Sequence, residues 1–147
     1  KPTGRSYVFA ERGWHFGPIT RTDGLDLSRS ITSTRYRFIY NALPDRSYTP
    51  VDMANKDAWQ ATQQAHAAGQ LSPLHQRLYF EKPRPMIELY DLKNDPLELC
   101  NLAGNTSTDN TEDTLRKELE AWMVHESDFL PLPTHALQTK IKKKTDK

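Results

Sequence analysis

Two rhythms of apolar and polar positions run along this chain, and the places where one gives way to the other mark its elements. "YVFAER" (Tyr7 to Arg12) alternates, with Tyr7, Phe9 and Glu11 on one face and Val8 and Ala10 on the other, which is the period of a strand. Gly13, Gly17, Pro18 and Gly24 follow and favour an exposed loop. "SRSITSTRYRFIYN" then supplies two β-prone runs on either side of residues 33–35, the pattern of an antiparallel hairpin whose second half puts Tyr36, Phe38 and Tyr40 on one side. "MIELYDL" (Met86 to Leu92) repeats the alternation and predicts the next strand.

Elsewhere the rhythm is helical. From Ala54 to Gly69, Ala54, Ala58, Ala61, Ala65 and Ala68 recur at steps of four and three. That predicts a helix whose small-residue stripe packs closely on a sheet, with Trp59 and His66 on a different face and Gly69 as the stop. "LSPLHQRLYFEKPRP" is punctuated by prolines and reads as irregular. A last helix is predicted from Asn110 to His125, with Leu115, Leu119, Trp122 and Met123 as its apolar stripe. Asp109 and Glu112 form a capping-box pattern worth about 1 kcal/mol, and Glu112 with Arg116 and Asp113 with Lys117 are favourable i,i+4 pairs. The fold class is therefore α+β: a small antiparallel sheet of about four strands packed with a C-terminal helix and a second helix. Residues 1–130 are expected to form the domain and residues 131–147 a Pro-containing, basic tail.

After the strand at Met86 to Leu92, Asp95 suits a helix N-cap, Pro96 the first helical position, and Glu98 the reciprocal position of a capping box, so a single tight helical turn is predicted there. Cys100 follows, near Leu99 and Leu102. This is the setting of a small buried hydrophobe, since no His or Lys is adjacent in sequence to activate a thiolate.

Composition changes little in this picture. A chain of 147 residues with 36% hydrophobic and 27% charged residues is most simply one soluble domain with its own core. A formal charge of +1, from 20 basic and 19 acidic residues, points to neither nucleic acid nor membrane as a partner. The closing "KIKKKTDK" is expected to be solvated, and no apolar run is long enough to span a bilayer. One cysteine cannot form an internal disulfide. "NTS" at Asn105 is a glycosylation acceptor in pattern, of consequence only in a secretory host. Beginning at "KPTGRSYVFAE", without Met and close to a strand, the chain is expected to be an excised piece of a longer polypeptide.

"RPMIELYDLKNDPLELCNLAGN" resembles the signature near the C-terminus of the sulfatase family, in the alkaline-phosphatase-like superfamily, where a strand reading E-L-Y-D-L precedes an x-x-D-P-x-E-x-x-N-L turn. "YVFAERGWHFG" and "SITSTRYRFIYN" are similar to the start of the smaller C-terminal subdomain in members related to heparan and glucosamine sulfatases. The resemblance implies a parent enzyme that hydrolyses sulfate esters or sulfamates of a sulfated carbohydrate. Such enzymes use a formylglycine made from a C/S-x-P-x-R sequence and a calcium ion. Cys100 is followed by Asn-Leu-Ala-Gly, without that Pro and Arg, and no D-D-x acidic cluster is present. No catalytic residue and no metal ligand is therefore assigned to this chain. Calcium and formylglycine are expected in an N-terminal catalytic domain of the same polypeptide, and the chain alone is expected to be inactive. No location follows from the sequence, although a periplasmic or secreted parent is compatible with the resemblance.

The resemblance further implies that the subdomain lends side chains to the rim of the substrate pocket, from the loop after the first strand. Trp14 and His15 occupy it here: a Trp stacks on a sugar face and a His hydrogen-bonds a hydroxyl or anion, unless Trp14 packs at an interface and His15 is an ordinary surface histidine. Arg21, Arg29, Arg35 and Arg37 offer forks for sulfated or carboxylated glycans, or else form a solvated face or pair with carboxylates of a neighbouring domain. Two other functions stay open. One is a free-standing glycan or anion-binding module using the Trp14 loop and the arginines. The other is nucleic-acid binding through "KIKKK" and the Tyr36, Phe38, Tyr40 stripe. An autonomous enzyme fits poorly: the five histidines lack metal-motif spacing, and no Gly-x-Ser-x-Gly or phosphate loop occurs.

Overall fold

The computed structural model describes residues 4–14, 25–48, 53 and 56–134. Its elements are strands β1 (Val8–Trp14), β2 (Leu25–Thr32) and β3 (Tyr36–Asn41), helices α1 (Asp57–Ala67) and α2 (Pro73–Phe80), strand β4 (Ile87–Asp91) and helix α3 (Asp109–His125). The strands form one antiparallel sheet in the order β1-β2-β3-β4. The chain divides into two units. One comprises Lys1–Glu11, Ser28–Ala42 and Met86–Lys147, and the other Arg12–Leu27 and Leu43–Pro85.

In the first unit the register decides which side chains meet. Ile31 lies opposite Phe38, Arg29 opposite Tyr40, and Phe38 opposite Leu89. Directly opposed residues share a face, so Ile31, Phe38, Tyr40 and Leu89 make one continuous apolar layer, each at most 1% exposed. α3 lies against β3 and buries Leu115, Leu119 and Met123, one side chain per turn of the helix. Full burial of each such side chain contributes about 1.5–3 kcal/mol. Trp122 sits one step round the helix and stacks on Phe9 of β1, with centroids 5.2 Å apart and planes 7° from parallel.

Beyond α3 the chain turns back, with Ser127 at a positive φ of 54°. Leu130 and Pro133 are buried, and both the backbone N–H and the hydroxyl of Thr134 donate to the Glu120 carboxylate, at 2.9 and 2.5 Å. Residues 135–147, including the lysine-rich run, lie outside the described residues.

Several local expectations in this unit are corrected. The α3 N-cap is Thr108 in place of Asp109, and its hydroxyl makes no cap, donating to the carbonyls of Leu102 and Asn105. Glu112 reaches past the cap to accept from the Gly104 N–H at 2.8 Å. The loop before the helix satisfies its own polar groups, which leaves the box no donor to complete. Arg116 pairs with Asp113, three residues earlier, and also donates to Thr134.

Asp95-Pro96-Leu97-Glu98 is a turn and not a helical one. Asp95 accepts from the Cys100 N–H at 2.8 Å, while Glu98 adopts a left-handed φ of 56° that stops helical propagation and sends its carboxylate to Arg37 at 2.5 Å. Cys100 is exposed, not buried. The turn gives its inward positions to Leu99 and Leu102, both half-buried.

In the second unit the alanine stripe of α1 is not its packing face. Ala58, Ala61 and Ala68 are exposed and Ala65 half-buried, while Ala54 lies outside the described residues. The buried face is the one carrying Trp59 and His66. Trp59 meets Tyr79 edge-on at 5.8 Å and stacks on Phe80 at 5.7 Å, and His66 stacks on Phe80 at 3.9 Å with its Nδ1 2.8 Å from Gln76. An aromatic ring removes far more area from water than a methyl group, so it decides which face turns inward.

The partner of α1 is α2, which lies in the stretch read as irregular. Ser72 caps it by accepting from the His75 N–H at 3.3 Å, and Pro73 occupies the first turn, where its missing N–H costs nothing. The prolines thus mark a start and a stop with a helix between them. α1 ends as expected near Gly69, where the N–H groups of Gly69 and Gln70 donate to the carbonyls of His66 and Ala65 in a Schellman arrangement. Among the described residues, no helix is long and apolar enough to cross a membrane.

Candidate functional site

β3 ends at Asn41 and β4 begins at Ile87. Tyr40 and Ile87 lie opposite each other, and the Asn41 N–H donates to the Met86 carbonyl at 2.8 Å. The chain therefore leaves and rejoins the sheet at the same end. β2 runs antiparallel to β3, so its first residue, Leu25, is at that end too, and the antiparallel sheet brings Trp14, the last residue of β1, beside it. The segment predicted to face substrate and the excursion bearing α1 and α2 thus issue from one end of the sheet, and residues 12–27 and 43–85 make up the second unit. Trp14 closes β1, but its side chain and all of His15 lie outside what the structure describes.

Among the described residues at this end, a compact charged cluster stands out. Asp26 of β2 is shared by two guanidiniums. Arg84 meets it end-on through Nη1 at 3.3 Å and through Nη2, and the Arg12 Nε lies 3.4 Å away. The backbone N–H of Arg84 donates to the Pro44 carbonyl at 2.9 Å, and Arg46 donates from Nη1 to the Leu25 carbonyl at 2.9 Å. Pro83 and Pro85 flank Arg84 and restrict its backbone, which aims the side chain at β2. The Arg12 guanidinium lies over the Tyr48 ring at 4.9 Å, and Tyr48 is 6.2 Å from Tyr79. Arg84 and Asp26 are largely shielded, with side chains 14% and 13% exposed.

The hairpin arginines do something else. Arg29 pairs bidentately with Asp128. Arg35 embraces Asp91 through Nε at 3.1 and 3.2 Å and Nη2 at 2.6 Å, and Arg37 donates to Glu98 and to Thr32. Each of these guanidiniums pairs with a carboxylate of this chain; Arg29 is sealed from water, whereas the side chains of Arg35 and Arg37 stay 49% and 38% exposed. Arg21 lies outside the described residues. The hydrogen bond from Arg35 is the main reason that the Asp91 carboxyl is held down at about 2. The Lys93 N–H and the Asn94 amide add to it, while burial opposes it. At Asp128 burial pushes the carboxyl upward, but Arg29 and the N–H groups of Leu130 and Phe129 outweigh it and leave the group below its ordinary value. Burial raises the Tyr40 hydroxyl, and the Asp128 charge raises it further.

Phe38 and Tyr40 lie in the core and only Tyr36 of the stripe is half-buried, so two of its three rings are withheld from stacking on bases. Among the described residues, no group of three or more His, Cys, Asp or Glu side chains comes together to hold a metal. With Cys100 in a sequence that lacks the modification motif, the side chains described here do not fit a calcium and formylglycine centre. Sequence reasoning missed Arg12, Asp26 and Arg84. They lie far apart along the chain, and the one local signal was an arginine framed by prolines.

The chain is 33% identical over 138 residues to an ulvan-active sulfatase of Formosa agariphila, a match covering 92% of this chain and 23% of that protein. A second ulvan-active sulfatase of the same organism is 43% identical over 49 residues, or 33% of this chain and 10% of that protein. The chain therefore spans less than a quarter of either relative. No family model matches it. Among solved structures, a 2-O GAG sulfatase superposes over 86% of this chain and 18% of its own, with a TM-score of 0.47 and 16% identity. The resemblance carried by the strand-and-turn signature is thus a similarity to sulfatases over nearly the whole of this chain.

Proposed function

We propose that this chain is the C-terminal subdomain of a sulfatase that hydrolyses sulfate esters of a sulfated polysaccharide. One observation carries this function: the similarity to an ulvan-active sulfatase takes in 92% of this chain but 23% of that protein. Formylglycine and calcium would reside in the remainder of the polypeptide, a hard cation of this kind being held by carboxylate and amide oxygens. The subdomain packs beside that catalytic body and contributes to the substrate rim from the sheet end at which β1 closes with Trp14. The name of the relative makes ulvan the first polymer to try.

The test is sulfate release by the polypeptide extended upstream of Lys1. With calcium present, the extended protein is expected to contain C/S-x-P-x-R and to liberate inorganic sulfate from ulvan or a glycosaminoglycan, while the 147-residue chain liberates none. An upstream sequence without that motif, in a protein that releases no sulfate, overturns the proposal. A free-standing anion-binding module is less favoured, because Arg29, Arg35 and Arg37 already pair with carboxylates of the same chain.

A further inference from the structure

We infer that Arg12, Asp26 and Arg84 form an oxyanion subsite that takes a sulfate or carboxylate group of the polysaccharide. The polysaccharide as the ligand's source rests on the proposed function; the anion site itself does not.

The argument starts with the geometry of one guanidinium. Arg84 uses its end, Nη1 and Nη2, to hold the two oxygens of Asp26. A guanidinium carries five N–H donors in a fixed plane, and end-on pairing leaves the edge that bears Nε–H pointing elsewhere. That Nε is buried and has no acceptor among the described residues. A buried donor is ordinarily satisfied, and one on a cation is especially costly to leave without a partner.

Charge points the same way. Two guanidiniums converge on the Asp26 carboxylate at a place where burial strengthens electrostatics. Asp26 acts here as a brace: it fixes the plane of Arg84 and leaves the Nε edge pre-aimed, which reduces the ordering cost of capturing an anion. Arg12 is the more accessible of the two, 33% exposed at the side chain, and lies over Tyr48, itself exposed. A sugar ring bearing an anionic group can place that group at the arginines and its apolar face near the tyrosine. The cluster belongs to the same unit as Trp14, the residue expected at the substrate rim.

The experiment follows the arginine Nε–H resonances of the isotope-labelled 147-residue chain. Sodium sulfate, sodium acetate and sodium chloride are titrated at matched ionic strength. The Arg84 Nε–H signal is expected to shift saturably with sulfate and not with chloride, and Arg12→Gln is expected to weaken the response about tenfold in a protein whose circular dichroism is unchanged. A response to sulfate alone assigns the site to sulfate groups, and a response to acetate as well assigns it to oxyanions including carboxylates; either supports the inference. No saturable shift, or the same shift with chloride, overturns it, as does an unaltered sulfate affinity in Arg12→Gln. The titration needs no catalysis, so it can fail while the extended polypeptide releases sulfate, or succeed while that polypeptide proves inactive.

Discussion

Arg29 and Asp128 grip each other with two hydrogen bonds, at 2.5 and 3.1 Å, across 99 positions of sequence. Both side chains are nearly sealed from water, 3% and 5% exposed. Arg29 stands on β2 among the core residues, and Asp128 follows α3, so the pair fastens the end of the helix to the sheet. The third nitrogen of Arg29, Nη1, bonds the Ser28 carbonyl at 2.8 Å, and the guanidinium lies 5.9 Å from the Phe129 ring centroid.

Removing Asp128 strips the buried Arg29 of its bidentate partner and leaves it the more distant, exposed Glu11 carboxylate at 3.8 Å as a weaker counter-charge. Asp128→Ala is expected to lower stability by about 3–5 kcal/mol at neutral pH. The double variant Arg29→Met with Asp128→Leu, which removes both charges, recovers most of the loss. Urea unfolding of the two variants and the parent protein measures the difference. Equal destabilisation in the single and double variants would show that the charges are not what matters.

The Asp91 carboxyl titrates at about 2 in the folded protein against an ordinary value of 3.8, chiefly because Arg35 hydrogen-bonds it. A depressed folded value means that the unfolded chain takes up the proton first. The pair's contribution is therefore complete above about pH 4 and fades as pH falls toward about 2. Arg35→Gln should lower stability at pH 7 and flatten the acid limb of the stability curve between those limits. Thermal melts at half-unit steps of pH check the shape of the curve.

Tyr40 shows the opposite sign. Its hydroxyl is raised by burial, so its contribution is intact below about pH 10 and is lost as pH climbs through the raised folded value. Tyr40→Phe should blunt alkaline unfolding, as followed by ultraviolet absorbance of the tyrosinates.

Helix α1 offers a test of which of its faces matters. Trp59→Ala removes the ring lodged between Tyr79 and Phe80 and should cost about 3–5 kcal/mol, whereas Ala61→Ser on the exposed stripe should stay within about 0.5 kcal/mol. At the helix end, Gly69 has a φ of +67° and open space where a Cβ would sit. Gly69→Ala should therefore cost only the left-handed backbone penalty, about 1–2 kcal/mol. Denaturant midpoints for the three variants rank these effects directly.

The strands and α3 were legible because each buries one face, and a buried face writes its period into the sequence. Phe38, Tyr40 and Leu89 alternate, and Leu115, Leu119 and Met123 recur turn by turn. The α1–α2 pair was hard to read for the same physical reason. Its contact is a small group of aromatic rings, Trp59, Tyr79 and Phe80, and a few rings suffice to join two short helices without any long apolar stripe. The Ala periodicity was real, but it described helix propensity and not burial. Cys100 was misplaced because its leucine neighbours suggested an interior, and the left-handed Glu98 that turns the chain outward has no sequence signature. The Arg12–Asp26–Arg84 cluster depends on strands folding back to a common end, information held by topology and not by any local run of residues.

Residues 43–85 depart from the sheet and return to it through neighbours already joined by the hydrogen bond from Asn41 to Met86. A stretch inserted at such a doorway behaves as a cassette: it can be lengthened, exchanged or trimmed to a tight hairpin without shifting β3 against β4. Diversity among related proteins should collect there, and grafting this piece onto a sister scaffold is a direct route to changing what that scaffold selects.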